Sequence, residues 1–252
     1  TLTGPAETGR QNLISKHIIN QILKQTILNG PNPTYLLSKD YNVFGGGLVL
    51  PRNTNVQTLN NISEKRVDFT HYNPAGKISE QYKTNDQKQV DLWDYRNMYL
   101  VAQVSNADSA DVAYNSFEAD GKGNWSFTGS SSPDPGSPTG DNCYNISQGI
   151  SKTGLNTGNT YIVAFCKKAG ASVSVSGSVS SQQGRTINNW TYVEYKVTGV
   201  STVSLSGSGY IDELRLYPAA AQMTTYTYNP LIGISSTCDP AGKITYYGYD
   251  GL

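Results

Sequence analysis

Asn73-Pro74-Ala75-Gly76-Lys77-Ile78-Ser79 returns near the far end of the chain as Asp239-Pro240-Ala241-Gly242-Lys243-Ile244-Thr245, with five of the seven residues unchanged. An Asx residue followed by Pro and then, two places on, by Gly is the chemistry of a type I β-turn. Pro presets φ near the required value, and the Asx side chain caps the turn. Each copy therefore predicts a hairpin tip. Tyr72 precedes the first copy and Tyr246-Tyr247 follow the second, so aromatic strands flank both turns. An internal repeat of this kind constrains the architecture more than any single residue does.

Related phrases cluster around the second copy. Tyr228-Asn229-Pro230, Cys238-Asp239-Pro240 and Tyr249-Asp250-Gly251 follow one another at steps of one strand plus one turn, which predicts a meandering antiparallel sheet. Trp93-Asp94-Tyr95-Arg96-Asn97 is a weaker relative in the first half. Tyr-Asp-x-x-Gly units along hairpins resemble the YD repeats of bacterial RHS-type proteins. The resemblance implies a piece of a larger hairpin-built wall, extracellular or on the cell surface, whose first partner is the remainder of its own chain. Relatives of that kind form hollow shells around a C-terminal effector. A chain that stops just after Tyr249-Asp250-Gly251 is expected to be cut from a longer array.

Composition narrows the partners. Charged residues are 15% of the chain against about 25% in an average domain, while Gly numbers 25 and Tyr 18, which suits a surface or secreted β-protein. Nineteen basic residues balance nineteen acidic ones, leaving no net field to attract phosphate backbones, so nucleic acid is not an expected partner. The sequence has no apolar run long enough for a membrane-spanning helix, and Thr1-Leu2-Thr3-Gly4 lacks the features of a signal peptide. Cys143, Cys166 and Cys238 are too scattered for a zinc site or a disulfide framework. Three buried free thiols are the expectation, with a single bridge as the alternative.

Three parts differ in texture: residues 1–113, 114–218 and 219–252. In the first, Leu13, Ile14, Ile18, Ile19, Ile22, Leu23, Ile27 and Leu28 fit a helix by their spacing and also fit strands. The turn signal Asn29-Gly30-Pro31-Asn32-Pro33, with Tyr35-Leu36-Leu37 beyond it, favours a hairpin. Gly45-Gly46-Gly47 has no phosphate-loop continuation and reads as a bend.

The middle part alternates. Val173, Val175 and Val179 interleave with Ser, and Val193, Tyr195 and Val197 repeat the period of two, which marks half-buried antiparallel strands. Strands are predicted near 161–167, 172–179, 190–197, 202–206 and 210–217, with a long loop at Ser130–Pro138. That number suits a β-sandwich. Asn115-Ser116-Phe117-Glu118 followed by Trp125, then Asn189-Trp190-Thr191-Tyr192, then Tyr210-Ile211-Asp212-Glu213-Leu214-Arg215-Leu216 resemble, in that order, the jelly-roll modules of the carbohydrate-binding, galactose-binding-like type. The whole chain is thus expected to be all-β, an antiparallel YD-type hairpin sheet plus a jelly-roll sandwich.

The same resemblance implies candidate sites. Such modules commonly share a structural calcium between opening and closing strands, and hard Ca²⁺ selects carboxylate oxygens. Glu118, Asp120, Asp141 and Asp212 are the carboxylates for it, although the sequence itself demands no cofactor. Glu118 and Asp120 as solvated turn residues and Asp212 as a strand cap is the alternative. For a carbohydrate partner the stacking candidates are Trp125, Trp190, Tyr144 and Tyr192, with core packing the competing reading for the two Trp residues. Tyr144, beyond the long loop, is the best placed for exposed stacking.

Catalysis finds no footing. His17 and His71 are the two histidines, and the chain contains no nucleophile elbow, zincin pair or Cys/His signature. Glu118 with Asp212 matches a glycosidase pair only in residue type. The expectation is a non-enzymatic structural fragment whose insert contributes glycan recognition, the alternative being a lectin-like module that targets its parent to glycans.

Overall fold

A computed structural model describes residues 4–251. Thr1, Leu2 and Thr3, read above for an export signal, and Leu252 lie outside the described residues. The chain separates into two compact units, residues 1–89 and 90–252.

The first unit opens with helix α1, Pro5–Ser15, whose Pro stands at the helix start, where its missing N–H costs nothing. Five antiparallel strands follow as a meander: β1 (Lys24–Asn29), β2 (Asn32–Phe44), β3 (Leu48–Thr58), β4 (Glu64–Tyr72) and β5 (Ile78–Lys83). The apolar stretch 13–28 is therefore split. Its end forms the expected hairpin, with Ile27 opposite Tyr35, while Leu13–Ser15 close the helix. Leu13 buries against Tyr41 and Val49, with Ile18 and Leu23 at the margin, so the helical spacing is used for one turn only. Gly9 permits that contact, because a Cβ there would stand 2.6 Å from the Tyr41 carbonyl oxygen.

The second unit carries the remaining strands. They are β6 (Lys88–Asp94), β7 (Tyr99–Ser105), β8 (Ala113–Asn115), β9 (Ser132–Pro133), β10 (Asn142–Asn145), β11 (Ile150–Thr153), β12 (Thr160–Lys168) and β13 (Ser172–Val175). After these come β14 (Ser178–Ile187), β15 (Trp190–Thr198), β16 (Thr202–Ser208), β17 (Tyr210–Pro218), β18 (Gln222–Asn229), β19 (Gly233–Cys238) and β20 (Ile244–Tyr246). Strands β6, β7, β18, β19 and β20 are neighbours in that order. β7 pairs with β18 across the intervening chain, Ser105 opposite Gln222 and Ala102 opposite Thr225.

Residues between β7 and β18 form a two-sheet sandwich. One sheet runs β14-β15-β12-β17-β10-β9, with β8 also on β17, and the other runs β11-β16-β13. Alternation decides what lies between them: Val193, Tyr195 and Val197 of β15 turn inward with Val163 and Phe165 of β12 and Val203 and Leu205 of β16. Each fully buried residue of this size contributes about 1.5–3 kcal/mol by leaving water. All the strands predicted from 161 to 217 are present, and 172–179 divides into β13 and the start of β14. The chain is all-β apart from α1 and short 3₁₀ turns.

Both repeat copies form the same hairpin tip. The N–H of Gly76 donates to the Asn73 carbonyl at 2.9 Å, and that of Gly242 to the Asp239 carbonyl at 3.0 Å. Asn73 Oδ1 accepts from the backbone of Ala75 and Lys77, and Asp239 Oδ1 accepts from Ala241 and Lys243. Gly76 and Gly242 share φ 75°, a left-handed conformation that explains why both copies keep Gly. The Trp93–Asn97 phrase also turns a hairpin, β6 to β7, but by another route. Tyr95, Arg96 and Asn97 are successive left-handed residues with φ 51°, 60° and 63°.

The two tips differ in what surrounds the glycine. A Cβ at Gly76 would meet Leu48 at an ordinary 3.7 Å, whereas one at Gly242 would press on the Tyr192 ring at 3.1 Å. Gly76→Ala should cost about 1 kcal/mol from the left-handed backbone alone, and Gly242→Ala should cost measurably more. Urea midpoints of the two variants check the order; equal losses would show that the tip does not rest on Tyr192.

Candidate functional site

The closing strand of the sandwich holds three charged side chains inside the protein. Asp212, Glu213 and Arg215 of β17 are 0%, 1% and 0% exposed. A bulge makes this arrangement. Ala164 faces Arg215 and Cys166 faces Asp212, so β17 carries one extra residue there, and Glu213 takes φ 55°. The bulge shifts the alternation, which is why Ile211 and Leu214, three apart, both reach the sandwich core. Glu213 and Arg215 share the opposite face, toward the β7-β18 sheet.

Each of these groups is paired. Arg215 Nε and Nη2 donate to Glu213 Oε1 at 3.0 and 2.7 Å, Nη2 also donates to Thr225 Oγ1 at 2.8 Å, and Nη1 donates to the Asp239 carbonyl at 3.0 Å. The Thr225 hydroxyl donates to Glu213 Oε1 in turn. Tyr114 of β8 donates to Glu213 Oε2 at 2.7 Å. One guanidinium thus joins the sandwich (Glu213, Tyr114) to β18 (Thr225) and to the second repeat tip (Asp239). Isolated buried charges are prohibitively costly, so this fork is retained only because its donors find acceptors.

Asp212 sits beside the fork without sharing its cation. Its Oδ2 accepts from the Thr139 N–H at 2.9 Å and lies 3.0 Å from the Thr139 hydroxyl, and its Oδ1 accepts from the Glu213 N–H at 2.6 Å. Burial, with the Glu213 carboxylate next to it, pushes the Asp212 carboxyl well above the usual range. The Thr139 hydroxyl is also 3.2 Å from Glu213 Oε2. A protonated Asp212 can therefore donate to Thr139 Oγ1 while Thr139 donates to Glu213, leaving one carboxylate for one guanidinium.

The other expected calcium ligands are occupied elsewhere. Glu118 accepts from the backbone of Asp141 and Asn142 at 3.0 and 2.6 Å and from Asn142 Nδ2 at 3.0 Å, pinning the end of the long loop; burial holds its carboxyl above the usual range. Asp120 Oδ1 accepts from the Arg96 N–H at 3.0 Å. Asp141 offers its backbone N–H to Glu118. Among the described residues no three His, Cys, Asp or Glu side chains are grouped to hold a metal ion. Glu118, Asp120, Asp141 and Asp212 are thus not gathered into one such group among the described residues.

The aromatic candidates separate clearly. Trp125 and Trp190 are buried, 4% and 3% exposed. Trp125 joins the main sandwich core, and its indole N–H has no hydrogen-bond partner. Tyr144, expected as an exposed stacking position, is 0% exposed and stacks on Phe117 at 5.1 Å, its hydroxyl donating to the Gly149 carbonyl. The loop before it folds back instead of swinging free, which closes this position. Tyr192 is half-buried on the outer face of β15.

That outer face lines a cleft of about 1160 Å³. Trp190, Tyr192 and Glu194 point into it while their odd-numbered neighbours point to the core; Gln182, Gln183 and Arg185 of β14 extend the floor, and the Asp239–Ile244 hairpin with Tyr246 forms the opposite wall. The three cysteines are free and buried, and burial pushes the Cys143 thiol up to about 11 and that of Cys238 up to about 12. Such thiols are protonated and unreactive near neutral pH.

Sequence reasoning singled out Asp212 but missed Thr139, Glu213, Arg215 and Thr225. The signal was present, since Asp-Glu-Leu-Arg inside the otherwise apolar Ile211–Leu216 places charges where a strand has no solvent face. No protein-family model matches the chain, and no curated protein matches it.

The Asp212 environment sets a pH dependence. A carboxyl raised in the folded state binds a proton that the unfolded chain, with its carboxylate near 3.9, has released. Its contribution to stability therefore falls as pH rises above about 4. Asp212→Asn should be less stable than the native protein at pH 4, and the gap should narrow and then invert toward pH 8 in urea titrations. A gap that widens with pH would contradict the assignment.

Proposed function

We propose that this chain is a non-enzymatic structural segment of an RHS/YD-type wall on the bacterial cell surface or in a secreted assembly. The sandwich is read as a jelly-roll insert set into the hairpin sheet. The observation that carries this reading is the pairing of β7 with β18. Ser105 and Gln222 are partners, so the sheet continues directly from one side of the sandwich to the other. The shared hydrogen-bond pattern of the two tips supports a hairpin repeat. The buried fork on Arg215 supports a load-sharing role, since it fastens the insert to the same sheet. Among the described residues no helix is long and apolar enough to cross a membrane. The partners in this reading are the remainder of the parent chain and, as an accessory, carbohydrate. Neither nucleic acid nor a cofactor has a role in it.

A second reading, a lectin-like module that targets the parent to glycans, is favoured by the cleft on the outer face of β15. The two differ in mechanics. A wall segment requires the sandwich and its sheet to unfold together, whereas an independent module unfolds by itself. Near-ultraviolet and far-ultraviolet circular dichroism and tryptophan fluorescence, followed together in urea on a 90–252 fragment, should give coincident transitions. All three Trp residues, Trp93, Trp125 and Trp190, then report one event. A sandwich transition clearly separated from that of the β7-β18 sheet would favour the module.

A further inference from the structure

The cleft beside the sandwich has a chemistry of its own. Its floor is the outer face of β14 and β15, and its wall is the second repeat tip, so it takes one side from the insert and the other from the hairpin sheet. Tyr192 and Tyr246 line it from these two sides. Tyr246 is 65% exposed, with its hydroxyl donating to the Pro138 carbonyl at 3.0 Å, so its ring is fixed while it faces solvent. Tyr192 is held by Glu194, to which its hydroxyl donates at 3.3 Å.

The polar lining is mixed and uncommitted. Gln183, Arg185, Asn188 and Lys243 line the cleft and make no side-chain hydrogen bond or ion pair to the described residues. Two cations, Arg185 and Lys243, stand against the three carboxylates of Glu118, Asp141 and Glu194, so the lining has no positive excess for a phosphate or a polyanion. The exposed Tyr246 face and the amide groups offer an apolar surface beside donors and acceptors, the complement of a sugar ring with its C–H face and hydroxyls. Small-ligand pockets run to about 300–1,000 Å³, so this one admits several rings.

We propose that this cleft binds a neutral oligosaccharide, with Tyr246 stacking on a ring and Gln183 and Asn188 hydrogen-bonding hydroxyls. The assignment rests on the glycan-recognition part of the reading above and relocates it. The contact residues are not the core-buried Trp125 and Tyr144, and one wall belongs to the repeat hairpin outside the sandwich. A sandwich expressed without residues 239–246 would lack half of the site.

The test uses the full chain and four neutral hexasaccharides, built of glucose, galactose, mannose and N-acetylglucosamine. Amide chemical-shift titration is read at residues 182–194 and 239–246. At least one hexasaccharide should bind with shifts confined to those segments, and Tyr246→Ala and Gln183→Ala should each weaken it tenfold or more. Ser206→Ala, on the exposed face of the other sheet, should leave it unchanged. Gln183 lies on an exposed strand, so its variant stays informative if Tyr246→Ala disturbs the Pro138 contact. No shift with any of the four at millimolar concentration, unchanged affinity in both cleft variants, or preference for a sulfated hexasaccharide would overturn the proposal. Failure here with coincident unfolding transitions removes the cleft assignment and leaves the wall reading in place, whereas separated transitions with cleft-confined shifts do the reverse.

Discussion

The second unit is organised around one guanidinium. Arg215 is on the closing strand of the sandwich, yet two of its partners, Thr225 and the Asp239 carbonyl, belong to the sheet that the sandwich interrupts. Arginine suits this position because its planar fork offers several donors in fixed directions and stays charged when buried. Glu213 supplies the countercharge only because β17 bulges there and accepts a left-handed residue. Backbone strain, charge burial and attachment of the insert are therefore parts of one arrangement. Removing the cation alone would leave Glu213 buried and unpaired, typically a loss of about 3–5 kcal/mol.

A second attachment works by carboxylates at the other end of the insert. Asp94 Oδ1 accepts from the Tyr95 and Gly121 N–H groups at 2.7 and 2.8 Å, and Asp120 accepts from Arg96. The left-handed turn at Tyr95–Asn97 is thereby held from the segment that opens the sandwich. Tyr95 also packs edge-on against Tyr99 and Tyr228, joining the turn to β7 and β18. Asp94, Glu118 and Asp120 thus each accept backbone donors, most of them in irregular chain where no ladder partner exists.

The hairpin sheet and the sandwich strands were legible because their signals are local. Asn-Pro-Ala-Gly fixes a turn through its own atoms, and the Val-Tyr-Val alternation of β15 states which side is wet. The helix at Pro5–Ser15 was not legible, because its one deep contact, Leu13 on Tyr41, depends on a strand far along the chain. Tyr144 misled for a similar reason: a Ser-, Pro- and Gly-rich loop reads as leaving the next strand exposed, but Thr139, directly after it, anchors to Asp212. The cleft was only half visible. Tyr192 and Trp190 were recognisable as strand-face aromatics, while the wall contributed by Tyr246 and Lys243 exists only once the two sheets are placed.

The central claim is that Arg215 couples the insert to the hairpin sheet, and a double-mutant cycle between Arg215→Met and Thr225→Val measures it most directly. Residues in one hydrogen-bonded network show coupling energies of about 0.5–3 kcal/mol, whereas independent sites add within about 0.3–0.5 kcal/mol. From urea unfolding of the four proteins, the account predicts a coupling above about 1 kcal/mol. Additivity within error would mean that the contact at 2.8 Å carries no energy between the two sheets and would contradict it.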